Sequence, residues 1–177
     1  MLPIVPVQTK RVDDYAEAAG EEAIERLRDA ARPLGGLRVL NVSSTAYGGG
    51  VSELLHTQVP LMNDLGVATT WVVIEGSDRF FNVTKGVHNA LQGDPVGLTE
   101  AQKQIFRRYN AENAEAFRDD YDFVIVHDPQ PAAMIDHYPS SDSRWIWRCH
   151  IDLSTPNREV IDFLAPSLER YDAAIFH

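Results

Sequence analysis

Five short apolar runs recur along this chain, each the length of one strand, and segments with helical patterns separate them. The runs span residues 37–42, 68–76, 122–128, 144–152 and 173–177. They are continuous rather than alternating, which is typical of strands that are buried on both faces of a sheet. Strands that alternate with helices are joined by crossovers and therefore lie parallel. The pattern predicts an α/β fold with a doubly wound, parallel, Rossmann-like sheet.

Helical patterns account for most of the chain between the runs. They predict helices near residues 23–31, 51–65, 79–91 and 159–164, and a long helix that begins after Thr99. Thr99 and Gln102 have the spacing of a capping box, and Gly66 is placed to end the second helix. Pro60 lies inside that second helix, where the missing N–H should cause a kink or start a new turn.

The length of 177 residues is that of one domain. We divide it into residues 1–36, an extended lead-in and a helix packed on the domain, and residues 37–177, the Rossmann-like domain itself. Pro3 and Pro6 interrupt the amino end, which also lacks the basic start of a signal peptide. No run approaches the ~20 apolar residues of a membrane span. We therefore expect a cytoplasmic protein.

The charge of the chain excludes some classes of partner. The formal net charge is −10, from 26 acidic and 16 basic residues. Nucleic acids and anionic membranes both require a concentrated basic surface, so neither is an expected partner. Cys149 is the only cysteine in the sequence, which rules out a disulfide within the chain.

A run of three glycines, Gly48 to Gly50, lies between the first predicted strand and its helix. Glycine allows the backbone to approach a ligand closely, and the free N–H groups of a helix start favour an anion such as a pyrophosphate. A glycine turn without a ligand remains the alternative. Glu53 breaks the dinucleotide fingerprint GxGxxG, and no GK[ST] follows, so neither a nicotinamide site nor a Walker loop is predicted.

Histidine and aspartate pairs follow two further strands. His127 and Asp128 come after the third, and His150 and Asp152 after the fourth. Ligands of such sheets bind beyond the carboxyl ends of the strands, and imidazole is suited to polarising a hydroxyl. Turn capping is the structural alternative for both pairs. Metal binding is compatible with these residues, but nothing in their spacing specifies it, and we predict no metal.

Four longer segments resemble one family. They are NVSSTAYGGGVSELLHTQVPLMNDLG, WVVIEGSDRFFNVTKGVHNALQG, VIVHDPQP and WRCHIDLSTPN. In this order and spacing they resemble the trehalose-forming glycosyltransferases, retaining enzymes of family GT4 with the GT-B fold. The resemblance runs from about Val12 to the last residue. It identifies the chain as similar to the amino-terminal domain of such an enzyme.

The resemblance implies a reaction and a set of site residues. The family transfers glucose from a nucleoside-diphosphate glucose, such as ADP-glucose or UDP-glucose, to glucose, and so forms trehalose. The amino-terminal domain holds mainly the acceptor, and the leaving diphosphate takes the acceptor's proton, so no cofactor or metal is required. By this resemblance His127 and His150 are catalytic. The implied substrate-binding residues are Tyr47, Gly48, Gly49, Gly50, Asp128, Gln130 and Asp152.

One departure from the family concerns the second domain. The sequence ends at His177, just after the fifth predicted strand, without the motifs that bind the donor. We therefore expect the isolated chain to be inactive, to need a second domain as partner, and to expose a strip that favours homo-oligomers. A stand-alone module that binds a sugar or nucleotide without turnover is the alternative. A nicotinamide oxidoreductase is disfavoured by the missing fingerprint.

Overall fold

A parallel sheet forms the centre of the computed structural model, which describes residues 1–117, 120–138 and 142–176. Its five strands are β1 (Arg38–Ser43), β2 (Ala68–Val73), β3 (Phe123–His127), β4 (Arg144–Arg148) and β5 (Ala173–Ile175). They lie in the order β2-β1-β3-β4-β5, and every neighbouring pair is parallel. The predicted doubly wound, Rossmann-like α/β fold is confirmed.

Six helices surround or precede the sheet in the described ranges. They are α1 (Ala16–Ala19), α2 (Glu21–Ala31), α3 (Gly50–Asp64), α4 (Asp78–Leu91), α5 (Glu100–Glu115) and α6 (Arg158–Leu168). Short 3₁₀ turns occupy Val12–Tyr15, Arg32–Leu34 and Ala132–His137. None of the helices described here is both long and apolar enough to cross a membrane.

The predicted helix boundaries follow from local capping. The capping box of Thr99 and Gln102 is confirmed at the start of α5. Gly66 adopts a φ of +84° directly after α3, where a glycine has no steric cost, and its N–H bonds to the carbonyl of Asn63. Helix α3 continues through Pro60 to Asp64, so the proline, which was expected to kink the helix or start a new turn, does not end it.

Four strands are shorter than predicted, and side chains explain where the second and the fourth end. The run at residues 68–76 stops being a strand at Val73 because Asn113 binds both the N–H and the carbonyl of Glu75, at 2.7 and 2.8 Å. The prediction of a strand over residues 144–152 is wrong beyond Arg148: the N–H of His150 bonds to the carboxylate of Asp128 instead of to a strand. For the fifth run, the strand ends at Ile175, and His177 lies outside the described residues.

Alternate side chains of the sheet face two separate hydrophobic clusters. Leu40 and Val42 belong to the larger cluster, to which α4, α5 and α6 contribute. Trp71 packs with Leu55 and Val59 of α3 in a smaller cluster on the opposite face. Because side chains alternate along a strand, Asn41 and Ser43 point to the α3 face. Polar groups therefore collect on that face.

The amino-terminal segment forms an additional edge of the sheet. Ile4 makes an antiparallel bridge with Val72, and two backbone bonds flank it: Val5 N–H to Trp71 O at 2.9 Å and Val73 N–H to Pro3 O at 3.1 Å. The side chains of Leu2, Val5 and Val12 are buried. The lead-in thus contributes to the core and covers the outer edge of β2.

Candidate functional site

The strand order places a crevice between β1 and β3. The chain leaves β1 towards β2 on one side and reaches β3 on the other, and in doubly wound sheets this switch point is where ligands bind. The loops that follow β1, β3 and β4 meet there. They carry the glycine run, the pair of His127 and Asp128, and His150.

The glycine run is supported on one side and open on the other. Gly48 has a φ of +76°, and Gly50 is the first residue of α3. The Nε2 of His56, one and a half turns into α3, bonds to the carbonyl of Ala46 at 3.0 Å. A Cβ added at Gly48, Gly49 or Gly50 would meet no atom within 4 Å. The loop therefore presents exposed backbone at a helix start, the arrangement that binds anions.

Tyr47 lies at the rim of this loop. Its side chain is 71% exposed, and its ring centroid lies 5.7 Å from that of His56. His56 in turn contacts the buried Trp71 edge-on at 4.9 Å. His56 was not among the predicted site residues. Its spacing of six residues after Gly50, on the helix that follows the loop, is the signal that could have found it.

His127 and His150 are brought together, but only one of them lies near the surface. His127 is 1% exposed, whereas His150 is half-buried. Nδ1 of His127 lies 2.9 Å from Nε2 of His150, and its Nε2 lies 2.9 Å from Oδ1 of Asn41. Burial, His150 and Arg148 lower the pKa of His127 to about 3. His127 is therefore a neutral imidazole behind His150, while direct contact of either ring with substrate stays a prediction.

The depressed pKa of His127 predicts a loss of stability in acid. Its pKa is 6.5 in the unfolded chain and about 3 in the folded protein. Unfolding therefore takes up a proton between these pH values, and the stability contributed by the neutral ring is full above pH 6.5 and falls as the pH drops towards 3. We expect a slope of up to about 1.4 kcal/mol per pH unit from this group.

The check is urea unfolding at several pH values in the wild type and in His127→Asn. Burial raises the pKa of Asp128, which contributes a slope of opposite sign, but this residue is present in both proteins. The free energy of unfolding of the variant should depend less steeply on pH between 6.5 and 4. Parallel curves would show that His127 takes up its proton equally in both states.

Asp128 forms the turn that holds His150. Its φ is +62°, the only positive value of a non-glycine residue in the described ranges. Its Oδ1 accepts the N–H of His150 at 2.7 Å, and its carbonyl accepts the indole N–H of Trp147 at 2.9 Å. Aspartate and asparagine are among the few residues that tolerate this conformation. The structure therefore gives Asp128 a supporting contact, and its predicted binding of substrate stays a prediction.

Two substitutions of Asp128 test whether its positive φ and its hydrogen bond to His150 stabilise the turn. Asp128→Asn keeps the tolerance for positive φ and the accepting oxygen, so its stability should match that of the wild type. Asp128→Val loses both, and the strained backbone together with the unpaired N–H of His150 should cost about 2–4 kcal/mol. Thermal unfolding of the two variants measures this. Equal losses would contradict the assignment.

A cleft of about 370 Å³ opens beside the crevice. Its walls come from the loop after β1, from α4 and from the turn after β3, and its lining residues are Ser44, Thr45, Phe81, Thr84, Lys85, His88 and Gln130. The Oε1 of Gln130 is buried and has no hydrogen-bond partner among the described atoms. Only Gln130 had been predicted. The spacing of Phe81, Lys85 and His88 on one face of α4 is a signal that sequence reasoning missed.

Asp152 is hydrogen-bonded within its own loop. Its side chain is exposed, and its Oδ1 accepts the N–H and the hydroxyl of Ser154, the N–H at 2.8 Å. These two bonds lower the pKa of its carboxyl. The expectation that Asp152 faces the same side as His150 assumed an extended strand, which ends at Arg148. In the described ranges, no group of three or more His, Cys, Asp or Glu is arranged to hold a metal ion.

The fold and the polar strand ends define a Rossmann-like α/β domain with a candidate ligand site at the switch point of its sheet. A solved Escherichia coli structure described as trehalose-6-phosphate bound with UDP-2-fluoro glucose superposes on this chain with a TM-score of 0.58. The match covers 77% of this chain and 39% of that one, at 18% sequence identity. At this identity the likeness establishes the fold.

The chain belongs to the trehalose synthase family. The family model for the amino-terminal domain of trehalose synthase matches residues 41–177. The trehalose synthase of Pyrococcus horikoshii is 48% identical over 171 residues, which is 95% of this chain and 41% of that protein. The Rubrobacter xylanophilus trehalose synthase is 43% identical over 181 residues, 99% of this chain and 44% of that protein. The chain thus spans about two-fifths of the length of these relatives.

Proposed function

We propose that this chain forms the acceptor-side part of a retaining glycosyltransferase that transfers glucose from a nucleoside-diphosphate glucose to glucose, giving trehalose. The observation that carries the proposal is the position of the cleft. A pocket lined by hydroxyl, amide and imidazole groups shares the loop after β1 with a helix start suited to a diphosphate. Membership of the trehalose synthase family supports the same reaction.

The acceptor glucose is assigned to the cleft. A hexose has a rim of hydroxyl groups and two largely apolar faces, and the cleft offers counterparts for both. Thr84, His88 and Gln130 supply hydrogen-bonding groups, and Phe81 supplies an apolar wall. The Oε1 of Gln130 is unpaired but buried, so a sugar hydroxyl in the cleft reaches it once the amide turns towards the cleft. Its cost of burial is removed when a ligand donates to it.

The donor diphosphate is assigned to the glycine loop. The exposed N–H groups at Gly49 and Gly50 and the positive end of the α3 dipole stabilise negative charge as it develops on the leaving group. In the proposed step the bond from the anomeric carbon to the diphosphate breaks, and a bond from the acceptor oxygen to that carbon forms on the same face. The proton of the acceptor passes to the diphosphate. His150 holds a hydroxyl of the reacting sugars, and the protein contributes position and charge rather than a nucleophile, metal or cofactor.

Calorimetric titration tests the binding half of this proposal. The chain is titrated with glucose, trehalose, ADP, UDP and NAD. We expect saturable binding of a sugar that Gln130→Leu abolishes, and no binding of NAD. Gln92→Leu is the matched control, since Gln92 is an exposed residue just after α4. Tight NAD binding without sugar or nucleoside-diphosphate binding would refute the proposal.

Turnover is tested in a hybrid enzyme, in which this chain is followed by the carboxyl-terminal part of the Pyrococcus horikoshii relative. With a nucleoside-diphosphate glucose and glucose as substrates, the hybrid enzyme should form trehalose. Sugar binding by the chain combined with an inactive but folded hybrid enzyme would favour a binding module without turnover.

A further inference from the structure

Three polar side chains form a hydrogen-bonded row from the middle of the sheet to the crevice. Asn41 of β1 is completely buried, and His127 at the end of β3 is 1% exposed. The Oδ1 of Asn41 lies 2.9 Å from Nε2 of His127, and Nδ1 of His127 lies 2.9 Å from Nε2 of His150. The two imidazole rings are nearly parallel, with 17° between their planes. Of the three, only His150 reaches towards solvent.

We propose that Asn41 and His127 are positioning residues, which hold the His150 ring in one orientation and keep its Nε2 protonated. This inference rests on the proposed function, in which His150 contacts the reacting sugars. It assigns to Asn41 a role that no sequence motif indicates. It also makes His127 a residue that acts through His150 rather than by touching substrate.

The direction of the two hydrogen bonds follows from the acceptor at the buried end. Oδ1 of Asn41 can only accept, so His127 carries its hydrogen on Nε2. A neutral imidazole has one N–H, so Nδ1 of His127 is an acceptor, and Nε2 of His150 donates to it. In neutral His150 the lone pair is then on Nδ1. That nitrogen is the one able to take up a proton.

The same direction is also compatible with a protonated His150. When Nδ1 of His150 is protonated, the donation from its Nε2 to His127 is unchanged, and nothing in the row has to rotate. With the opposite direction, in which His127 donates from Nδ1, a protonated His150 would place two N–H groups against each other. Only donation towards Asn41 is therefore compatible with both charge states of His150.

The surroundings keep His127 a neutral acceptor. Burial, the neighbouring His150 and the guanidinium of Arg148 all disfavour its protonated form. The guanidinium is itself held by a bond of 3.2 Å from Nη1 to Oε1 of Gln58 on α3. A proton on His150 is consequently not passed inwards to His127.

Stability alone does not account for the buried pair of Asn41 and His127. Their hydrogen bond leaves Nδ2 of Asn41 buried without a partner among the described atoms, a cost that apolar side chains at both positions would avoid. Asn41 lies in the centre of the ladder, paired with Trp71 on one side and Ile125 on the other. A backbone paired on both sides is rigid, which suits a residue that must orient the ring of His127.

The first test reads the tautomer directly, without any activity. In the ¹⁵N-labelled chain, imidazole nitrogen shifts show which nitrogen of His150 is protonated. We expect Nε2 to be protonated in the wild type, a mixture of tautomers in Asn41→Leu, and no change in Thr69→Val. Thr69 is a buried polar residue of the neighbouring β2 whose hydroxyl bonds to the carbonyl of Val67, away from the row. Protonation of Nδ1 in the wild type, or an unchanged tautomer in Asn41→Leu, would overturn the proposal.

The second test measures turnover in the hybrid enzyme. Asn41→Leu and His127→Leu should each lower kcat about 10- to 100-fold, by analogy with the loss of hydrogen bonds that orient metal-binding histidines, with little change in KM. His127→Asn should restore most of the loss, because its Oδ1 can accept from Nε2 of His150. Equal kcat values for His127→Leu and His127→Asn, or a shifted tautomer with unchanged kcat, would overturn the positioning role.

The two tests separate this inference from the proposed function. If the wild-type hybrid enzyme is folded but forms no trehalose, the proposed function fails. The tautomer of His150 in the wild type and in Asn41→Leu still decides whether Asn41 and His127 fix the ring.

Discussion

Purified and incubated with ADP-glucose or UDP-glucose and with glucose, the chain of 177 residues should form no trehalose. Transfer requires the acceptor oxygen and the anomeric carbon to be held about 3–3.5 Å apart. In the proposed function the glycine loop, His150 and the cleft all belong to one side of the reaction centre, and Gly48 to Gly50 are exposed to water. Water at an open centre weakens each electrostatic contribution to the transition state.

The positive control is the hybrid enzyme, assayed at the same concentration. Trehalose from the hybrid enzyme and none from the chain would show that groups outside these residues complete the site. The chain carrying His150→Ala gives the background rate of trehalose formation. Steady formation of trehalose by the unmodified chain above that background would show that one domain is enough.

The second large effect is expected from Gly50→Val in the hybrid enzyme. The branched side chain would stand between the start of α3 and the diphosphate, and we expect at least about a 100-fold loss of kcat/KM, the size seen when one such donor is lost. The fold should tolerate it. A Cβ at this position meets no atom within 4 Å, and the backbone is already helical. Steady-state kinetics and thermal unfolding on the same preparation measure both quantities.

Gly86→Val provides the matched control for this substitution. Gly86 is also a helical glycine, within α4, and a Cβ there likewise meets no atom within 4 Å. It does not line the cleft. Near wild-type activity for Gly86→Val and a large loss for Gly50→Val would assign the effect to the loop. Wild-type activity of a folded Gly50→Val enzyme would rule out close approach of the diphosphate to this helix start.

The strands and their parallel order could be predicted because burial on both faces leaves a continuous apolar signature. The end of β4 could not. Residues 149–152 continue the apolar run, but a carboxylate from another strand end, that of Asp128, captures the N–H of His150. Whether a backbone N–H bonds to a side chain or to a neighbouring strand depends on which groups the tertiary structure brings close to it. For the same reason the strand that was expected to place His150 and Asp152 on one side ends before both residues.

The candidate site was predictable only where it follows a strand end directly. Gly48 to Gly50, His127 and His150 were found because every strand end of such a sheet is a candidate. Asn41 was missed since it lies within a strand, where an asparagine in an apolar run carries no local signal. The residues of α4 that line the cleft were missed because a mixed polar stripe also describes an ordinary solvated face. The capping residues, by contrast, act over three or four positions and were read correctly.

The antiparallel segment along β2 has a consequence for how copies of this protein meet. An uncovered outer strand displays a row of free N–H and carbonyl groups, which can template pairing with another molecule. Here residues 3–5 occupy that row, anchored by the burial of Leu2 and Val5. Detachment of these residues would expose the backbone groups of β2 to pairing with a second molecule. The amino-terminal segment thus blocks edge-to-edge pairing of β2 as well as completing the fold. A purification tag joined directly to Met1 would lie next to these bonds and could weaken them.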